Sequence, residues 1–214
     1  MQLIINELFH SVQGESSFVG LPFVFIRLTG CNLRCRHCDT RYAYDEGTSW
    51  PLDRILRRVA RFDCPRVTVT GGEPLAQAMT PHLITALLDR GWLVTLETNG
   101  SMNVAPVDPR CIKILDIKCP SSGMHDQNRL DNLTLLTPQD QVKFVVADKS
   151  DFDFACQKLP AVQNQLPAGH ILFSPVHGEL SPEELARWML DERIEGRLQI
   201  QLHKYLWPAT ERGV

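Results

Sequence analysis

The 214-residue sequence predicts an α/β fold, an open or incomplete parallel (β/α) barrel of roughly six to seven strands. Three observations carry that prediction. Short strand-sized apolar segments alternate with amphipathic ones, the pattern of a sheet covered by helices. Each strand-sized segment is apolar through most of its length, which suits parallel strands buried on both faces. Polar Gly/Pro-rich turns recur after those segments, on the rim where parallel folds build sites. The strand count is too low for a closed eight-stranded barrel.

Gln2–Phe9 reads as a first strand, followed by a polar loop from His10 to Glu15. Phe23–Leu28 is a buried strand that Arg27 interrupts just before a cysteine-rich loop. Thr48 or Ser49 can cap a first helix with Pro51 in its first turn, and Leu52, Ile55, Leu56, Val59 and Ala60 share one face. Arg66–Thr70 is β-branched and stops at Gly71-Gly72-Glu73-Pro74. A helix follows from a Thr80 cap through Leu83, Ile84, Leu87 and Leu88 to Gly91. Trp92–Glu97, Ile112–Ile117, Gln141–Val146, His170–Phe173 and Leu198–Leu202 are the remaining strands. A helix is expected around Asp151–Leu159, and Ser181 with Glu184 forms a capping box ahead of the last one. No linker, repeat or low-complexity stretch divides residues 1–214, so a single domain is expected.

Composition narrows the function classes. Net charge is −3 with no basic run, which argues against a nucleic-acid partner. Apolar runs are far shorter than a bilayer span, and the N-terminus lacks a signal-peptide pattern, so no membrane partner is expected. Seven cysteines, an odd number with three crowded together, fit a reduced cytoplasmic protein better than a disulfide framework.

The chemistry concentrates in Leu28–Tyr42, where Cys31, Cys35 and Cys38 form C-x3-C-x2-C. Three close thiolates can hold three corners of an iron–sulfur cube and leave the fourth iron open. Zinc wants four ligands and ordinary ferredoxin clusters four cysteines. A zinc loop completed by His37 or a distant His, and chance clustering of buried cysteines, are the alternatives. Cys64, Cys111 and Cys156 read as incidental. Gly72 permits close backbone approach, Glu73 can accept from an ammonium group, and Glu97 with Asn99 can hold ribose hydroxyls. Ser174-Pro175-Val176-His177 can contact an adenine edge. Arg27 suits bidentate capture of a carboxylate; its structural alternative is an ion pair with Glu15 or Asp39.

These features together resemble the radical S-adenosylmethionine (SAM) superfamily. The resemblance implies a [4Fe–4S] cluster on Cys31, Cys35 and Cys38, whose open iron chelates the amino and carboxylate groups of SAM. It implies an incomplete barrel of the radical SAM type, with Glu73 at the methionine ammonium and Glu97 and Asn99 at the ribose. Within it, Ser11–Glu15, Gly20–Arg27, Gly30–Cys35, Cys38-Asp39-Thr40 and Gln201–Lys204 resemble the 7-carboxy-7-deazaguanine synthase family. That family converts 6-carboxy-5,6,7,8-tetrahydropterin to 7-carboxy-7-deazaguanine by radical ring contraction with loss of ammonia, using SAM and Mg²⁺. The resemblance implies substrate contacts at Val12, Gln13, Gly14, Arg27 and Thr70, and Mg²⁺ at Thr40. Glu15 can pair with the donor edge of a 2-aminopyrimidinone ring, and His203 can touch substrate. SAM contacts are implied at His37, Cys38, Asp39, Gly72, Cys119, Pro120, Ser121, Ser174, Pro175, Val176 and His177. The implied partners are the pterin, an electron donor such as flavodoxin or ferredoxin, and a second copy in a homodimer. Trp207–Val214 continues past the His-Lys segment, where some members end. The rival readings are a glycyl-radical activating enzyme and a zinc-dependent interaction module.

Overall fold

A computed structural model describes residues 2–208, 212 and 213. Among the described residues nine strands form one sheet in the order β3-β1-β2-β4-β5-β6-β7-β8-β9. They are β1 (Gln2–Val12), β2 (Pro22–Leu28), β3 (Thr48–Pro51), β4 (Arg66–Gly71), β5 (Leu93–Thr98), β6 (Ile112–Ile117), β7 (Gln141–Val146), β8 (Ile171–Pro175) and β9 (Arg197–Leu198). From β2 through β4 to β9 every pairing is parallel, giving the seven-stranded body of an unclosed barrel. The helices are α1 (Leu52–Ala60), α2 (Thr80–Leu88), α3 (Lys149–Gln163), α4 (Pro182–Asp191) and α5 (His203–Leu206).

Several elements differ from the sequence expectation, each for a local reason. β1 runs on to Val12 and lies antiparallel to both neighbours, because the turn through Gln13–Leu21 folds it back onto β2. Thr48–Pro51 caps no helix; it is an edge strand on β1, and extended Pro51 precedes α1. Thr80 opens α2 but turns its hydroxyl to the Pro74 carbonyl, so it does not cap. The expected final strand shrinks to Arg197–Leu198, since Leu202 N leaves the sheet to donate to Gly14 O at 2.9 Å. His203 therefore starts a short helix instead of ending a strand. Ser181 does cap α4, accepting from Glu184 N at 3.0 Å.

The sheet's two faces differ. Val67, Val69, Val94, Leu96, Leu115, Ile117, Val142, Phe144 and Val146 join the buried core with Ile55, Leu83, Leu87, Phe152 and Leu185 of the helices. The alternate positions point the other way, as the two-residue period of a strand requires. They include Thr68, Thr70, Thr95, Glu97, Asp116 and Lys143, a polar inner face. Registers Arg27↔Thr70 and Asp116↔Lys143 set those side chains beside one another.

Candidate active site

The inner face encloses a chamber of about 850 Å³. Its upper wall carries Cys31, Cys35, Cys38, Gly72, Asn99 and Lys118, and its lower part Gln13, Gly14, Glu15, Glu97 and Lys143. A smaller cavity of about 410 Å³ adjoins it between Pro175–Pro182 and Gln201–Tyr205.

The cysteine loop is held at both ends. Gly30 sits at φ +100°, a conformation that favours glycine, and its N donates to Ala43 O at 2.8 Å. Gly72 packs so tightly that a Cβ there would lie 2.3 Å from Gly30 O and 2.7 Å from Cys31 Cβ. Arg36, between the second and third cysteines, donates through its backbone N to Ser122 O at 3.0 Å and grips Glu179 with two nitrogens at 3.0 and 2.6 Å. Leu33 N lies 3.4 Å from Cys31 Sγ and Asn99 Nδ2 3.8 Å, both N–H···S contacts of the kind that tune cluster sulfurs. Burial pushes the Cys31 and Cys35 thiols up. Among the described residues no three His, Cys, Asp or Glu side chains converge on one ion position. Three half-buried thiols line one chamber wall, the number that a cube with one open iron needs.

Glu73 does not reach the chamber. Its side chain is 0% exposed, with Oε1 accepting from Leu75 N at 2.9 Å and Oε2 from Asn99 N at 2.7 Å, while Thr98 Oγ1 donates to both. The carboxylate ties the β4 turn to the β5 exit. Asn99 stays at the cysteine loop, donating to Asn32 Oδ1 at 3.2 Å. Glu97, two residues earlier, lies lower and accepts from Gln13 Nε2 at 3.3 Å and Thr70 Oγ1 at 3.0 Å. Burial pushes its carboxyl up, and the Glu15 charge adds to that. Glu97 thus keeps company with the expected substrate residues, away from Asn99.

All six of those residues, Val12 included, line the chamber. Gln13 also donates to Thr68 Oγ1 at 3.2 Å. Glu15 is ion-paired to Lys143 and accepts from Gln201 Nε2 at 2.6 Å. Burial alone would raise Glu15, but Lys143 and Gln201 override it and hold the carboxyl down to about 2. Arg27 pairs through Nε with Glu7 at 2.6 Å, not with Glu15 or Asp39, and Tyr42 donates to the same oxygen at 3.0 Å. Its two terminal nitrogens have no partner among the described residues.

The remaining expected contacts divide. His37, Asp39, Val176 and His177 line the chamber, whereas Ser174 is buried in β8 and Pro175 faces the smaller cavity. Cys119 is 1% exposed, and Ser121 is bound to Asp151, so this loop supports the chamber from behind. Lys118 reaches the chamber in its place and pairs with Asp116 at 3.0 Å. Thr40 makes no capping bond; its Oγ1 donates to Asp39 Oδ1 at 3.0 Å. Lys204 meets the other Asp39 oxygen at 2.6 Å and, with Thr40 and against burial, holds that carboxyl well below the usual range. The extension past His203-Lys204 supplies Trp207, Pro208, Arg212 and Gly213 to the chamber wall; the rest of Trp207–Val214 lies outside the described residues. Glu7, Asp116, Lys118 and Lys143 escaped sequence reasoning. The signal for three of them was charge at alternate positions inside otherwise apolar strands.

Residues 25–116 match the model of the Radical SAM superfamily. The chain is 48% identical to the 7-carboxy-7-deazaguanine synthase of Chlorobaculum tepidum, over 99% of this chain and 97% of that one. The chain belongs to the 7-carboxy-7-deazaguanine synthase family. The family protein of Koribacter versatilis is 37% identical over 98% of this chain and 99% of its own. In fold, the chain is similar to the crystal structure of QueE from Escherichia coli, with a TM-score of 0.78, 23% identity and 95% of each chain covered. Membership of the 7-carboxy-7-deazaguanine synthase family makes the chain a radical SAM enzyme, with a [4Fe–4S] cluster and SAM as its cofactors. The activating-enzyme and zinc-module readings are not favoured.

Proposed function

We propose that this protein is a radical SAM lyase converting 6-carboxy-5,6,7,8-tetrahydropterin to 7-carboxy-7-deazaguanine with loss of ammonia. One observation carries the reading: a single chamber unites the three-thiol loop with a floor of Gln13, Glu15, Arg27, Thr70 and Glu97. When bound, the cluster supplies the electron that cleaves SAM reductively. Arg27, steadied by Glu7, turns its terminal nitrogens to the substrate carboxylate. Gln13, Glu15 and Glu97 face the donor edge of the ring, and Thr70 orients Glu97. Thr40 fits a Mg²⁺ ligand, since donating its proton to Asp39 leaves its lone pairs for the ion. Asn99, Val176 and His177 serve SAM. A small-molecule substrate and a reductant are the partners; flavodoxin or ferredoxin as donor, a homodimer, a cytoplasmic setting and action as one domain complete the reading. Among the described residues no helix is long and apolar enough to cross a membrane.

The test is anaerobic reconstitution followed by incubation with reductant, SAM, Mg²⁺ and carboxytetrahydropterin. Product with the mass of 7-carboxy-7-deazaguanine is expected. SAM cleavage that leaves the pterin intact would sink the assignment.

A further inference from the structure

Residues Gln201 to Lys204 bind two distant parts of the chamber together. Gln201 holds Glu15, Leu202 N bonds to Gly14 O, and His203 packs so closely that a Cβ on Gly14 would lie 2.1 Å from its Nδ1. One residue on, Lys204 Nζ meets Asp39 Oδ2 at 2.6 Å, while Asp39 Oδ1 takes the Thr40 hydroxyl proton at 3.0 Å. We propose that Lys204 is a positioning residue for Mg²⁺: by fixing Asp39 it fixes the direction in which Thr40 presents its oxygen. The proposal rests on the reading of Thr40 as the metal's protein ligand.

The physical reason lies in the freedom of the parts. A threonine side chain has alternative staggered rotamers, and its hydroxyl hydrogen rotates to suit its surroundings. Mg²⁺ demands near-ideal octahedral geometry, so a ligand free to turn is a poor one. Asp39 alone would not supply the restraint, because its side chain is half exposed and its partners among the described residues are Thr40 itself and Lys204. Lys204 is 19% exposed and rooted on α5 next to the His203–Gly14 packing, so it is the fixed end of the chain of contacts. An ion pair with one partner this open adds little to stability, so its use is in placement. The same short segment thereby registers the metal ligand against the substrate floor, since Lys204 N donates to Gln201 O at 3.0 Å.

The experiment uses the full chain, anaerobically reconstituted, as wild type, Lys204→Met, Lys204→Arg, Thr40→Ala and the Lys204→Met/Thr40→Ala double variant. Two quantities are read: the Mg²⁺ concentration giving half-maximal turnover, and the Mg²⁺ dependence of pterin affinity at equilibrium without reductant. Lys204→Met should raise both Mg²⁺ requirements about tenfold, the scale of losses when a group behind a metal ligand is removed. Iron content, SAM affinity and melting temperature should stay at wild type, and Lys204→Arg should recover most of the response. In the Thr40→Ala background Lys204→Met should add nothing. Wild-type Mg²⁺ dependence in Lys204→Met, with Thr40→Ala shifted, would overturn the role of Lys204 and leave Thr40 standing. So would additive effects in the double variant. No Mg²⁺ effect in Thr40→Ala removes Thr40 from the metal, and the role of Lys204 falls with it. Should Lys204→Met fold poorly, Asp39→Asn, which keeps an acceptor for Thr40 but loses the ion pair, must show the same shift.

Discussion

Gly72 sets how closely the turn after β4 approaches the cysteines. A methyl group there would meet a backbone oxygen at 2.3 Å, which no side-chain movement relieves. Gly72→Ala should therefore displace the loop and lower the iron bound after anaerobic reconstitution, with the loss in iron exceeding the loss in melting temperature. Arg27 works differently, because Glu7 already occupies one side of its guanidinium. Arg27→Lys keeps a charge near Glu7 but cannot offer the two terminal nitrogens together. Pterin affinity should fall by about 2 kcal/mol, the scale of a charged hydrogen bond left unmade. SAM affinity should be unchanged, and a titration showing the reverse would move Arg27 to the other pocket. The pairing of Glu7 with Arg27 was not legible in the sequence, since contact across an antiparallel β1–β2 ladder depends on a register that local patterning does not reveal.

Between elements, the contact that matters most is the one joining the floor loop to β7 through Glu15 and Lys143. A carboxyl held below its unfolded value stabilises the fold fully above that value and loses the contribution as pH falls toward the folded one. Glu15 is held at about 2 against 4.5, so its share is complete at neutral pH and disappears between those values. Glu15→Gln should melt lower than wild type at neutral pH and fall less steeply through the acid range, measured on the cluster-free chain. The parallel strands were legible because each carries an apolar face for the helices, and the cysteine loop because its spacing is local. The chamber's own lining was harder to read. Thr68, Thr95, Asp116 and Lys143 interrupt runs that look apolar, and their meaning appears only once neighbouring strands place them side by side. Glu73 misled for the opposite reason: a polar residue in a site-like turn became a buried brace, because Thr98 and Asn99 supplied its donors. β3 was missed because an edge strand is defined by its partner, here Gln2–Ile5.

Across the whole molecule, the chamber draws its wall from Glu7 to Gly213, nearly the length of the chain. The unclosed sheet leaves that wall to be completed by the C-terminal segment, where Arg212 pairs with Glu46 at 2.8 Å and lies over the Tyr42 ring. Ending the chain after Leu206 would remove Trp207, Pro208, Arg212 and Gly213 from the wall and admit water to a site meant to exclude it. Iron content should hold, while SAM cleaved per product formed should rise; a wild-type ratio would show the segment to be dispensable. The bond between Gln201 and Glu15 spans 186 positions, and it also imposes an order in time. A chain leaving the ribosome shows its first residues long before its last. Gly72, Asn99 and Ser122, which pack on or bond to the cysteine loop, all precede the final third of the chain. Most of the cradle for the inorganic cluster, though not the Arg36 grip on Glu179, is thus in place while the floor of the chamber still waits for its partner, so the cluster's site is largely drawn before there is any place for substrate to sit.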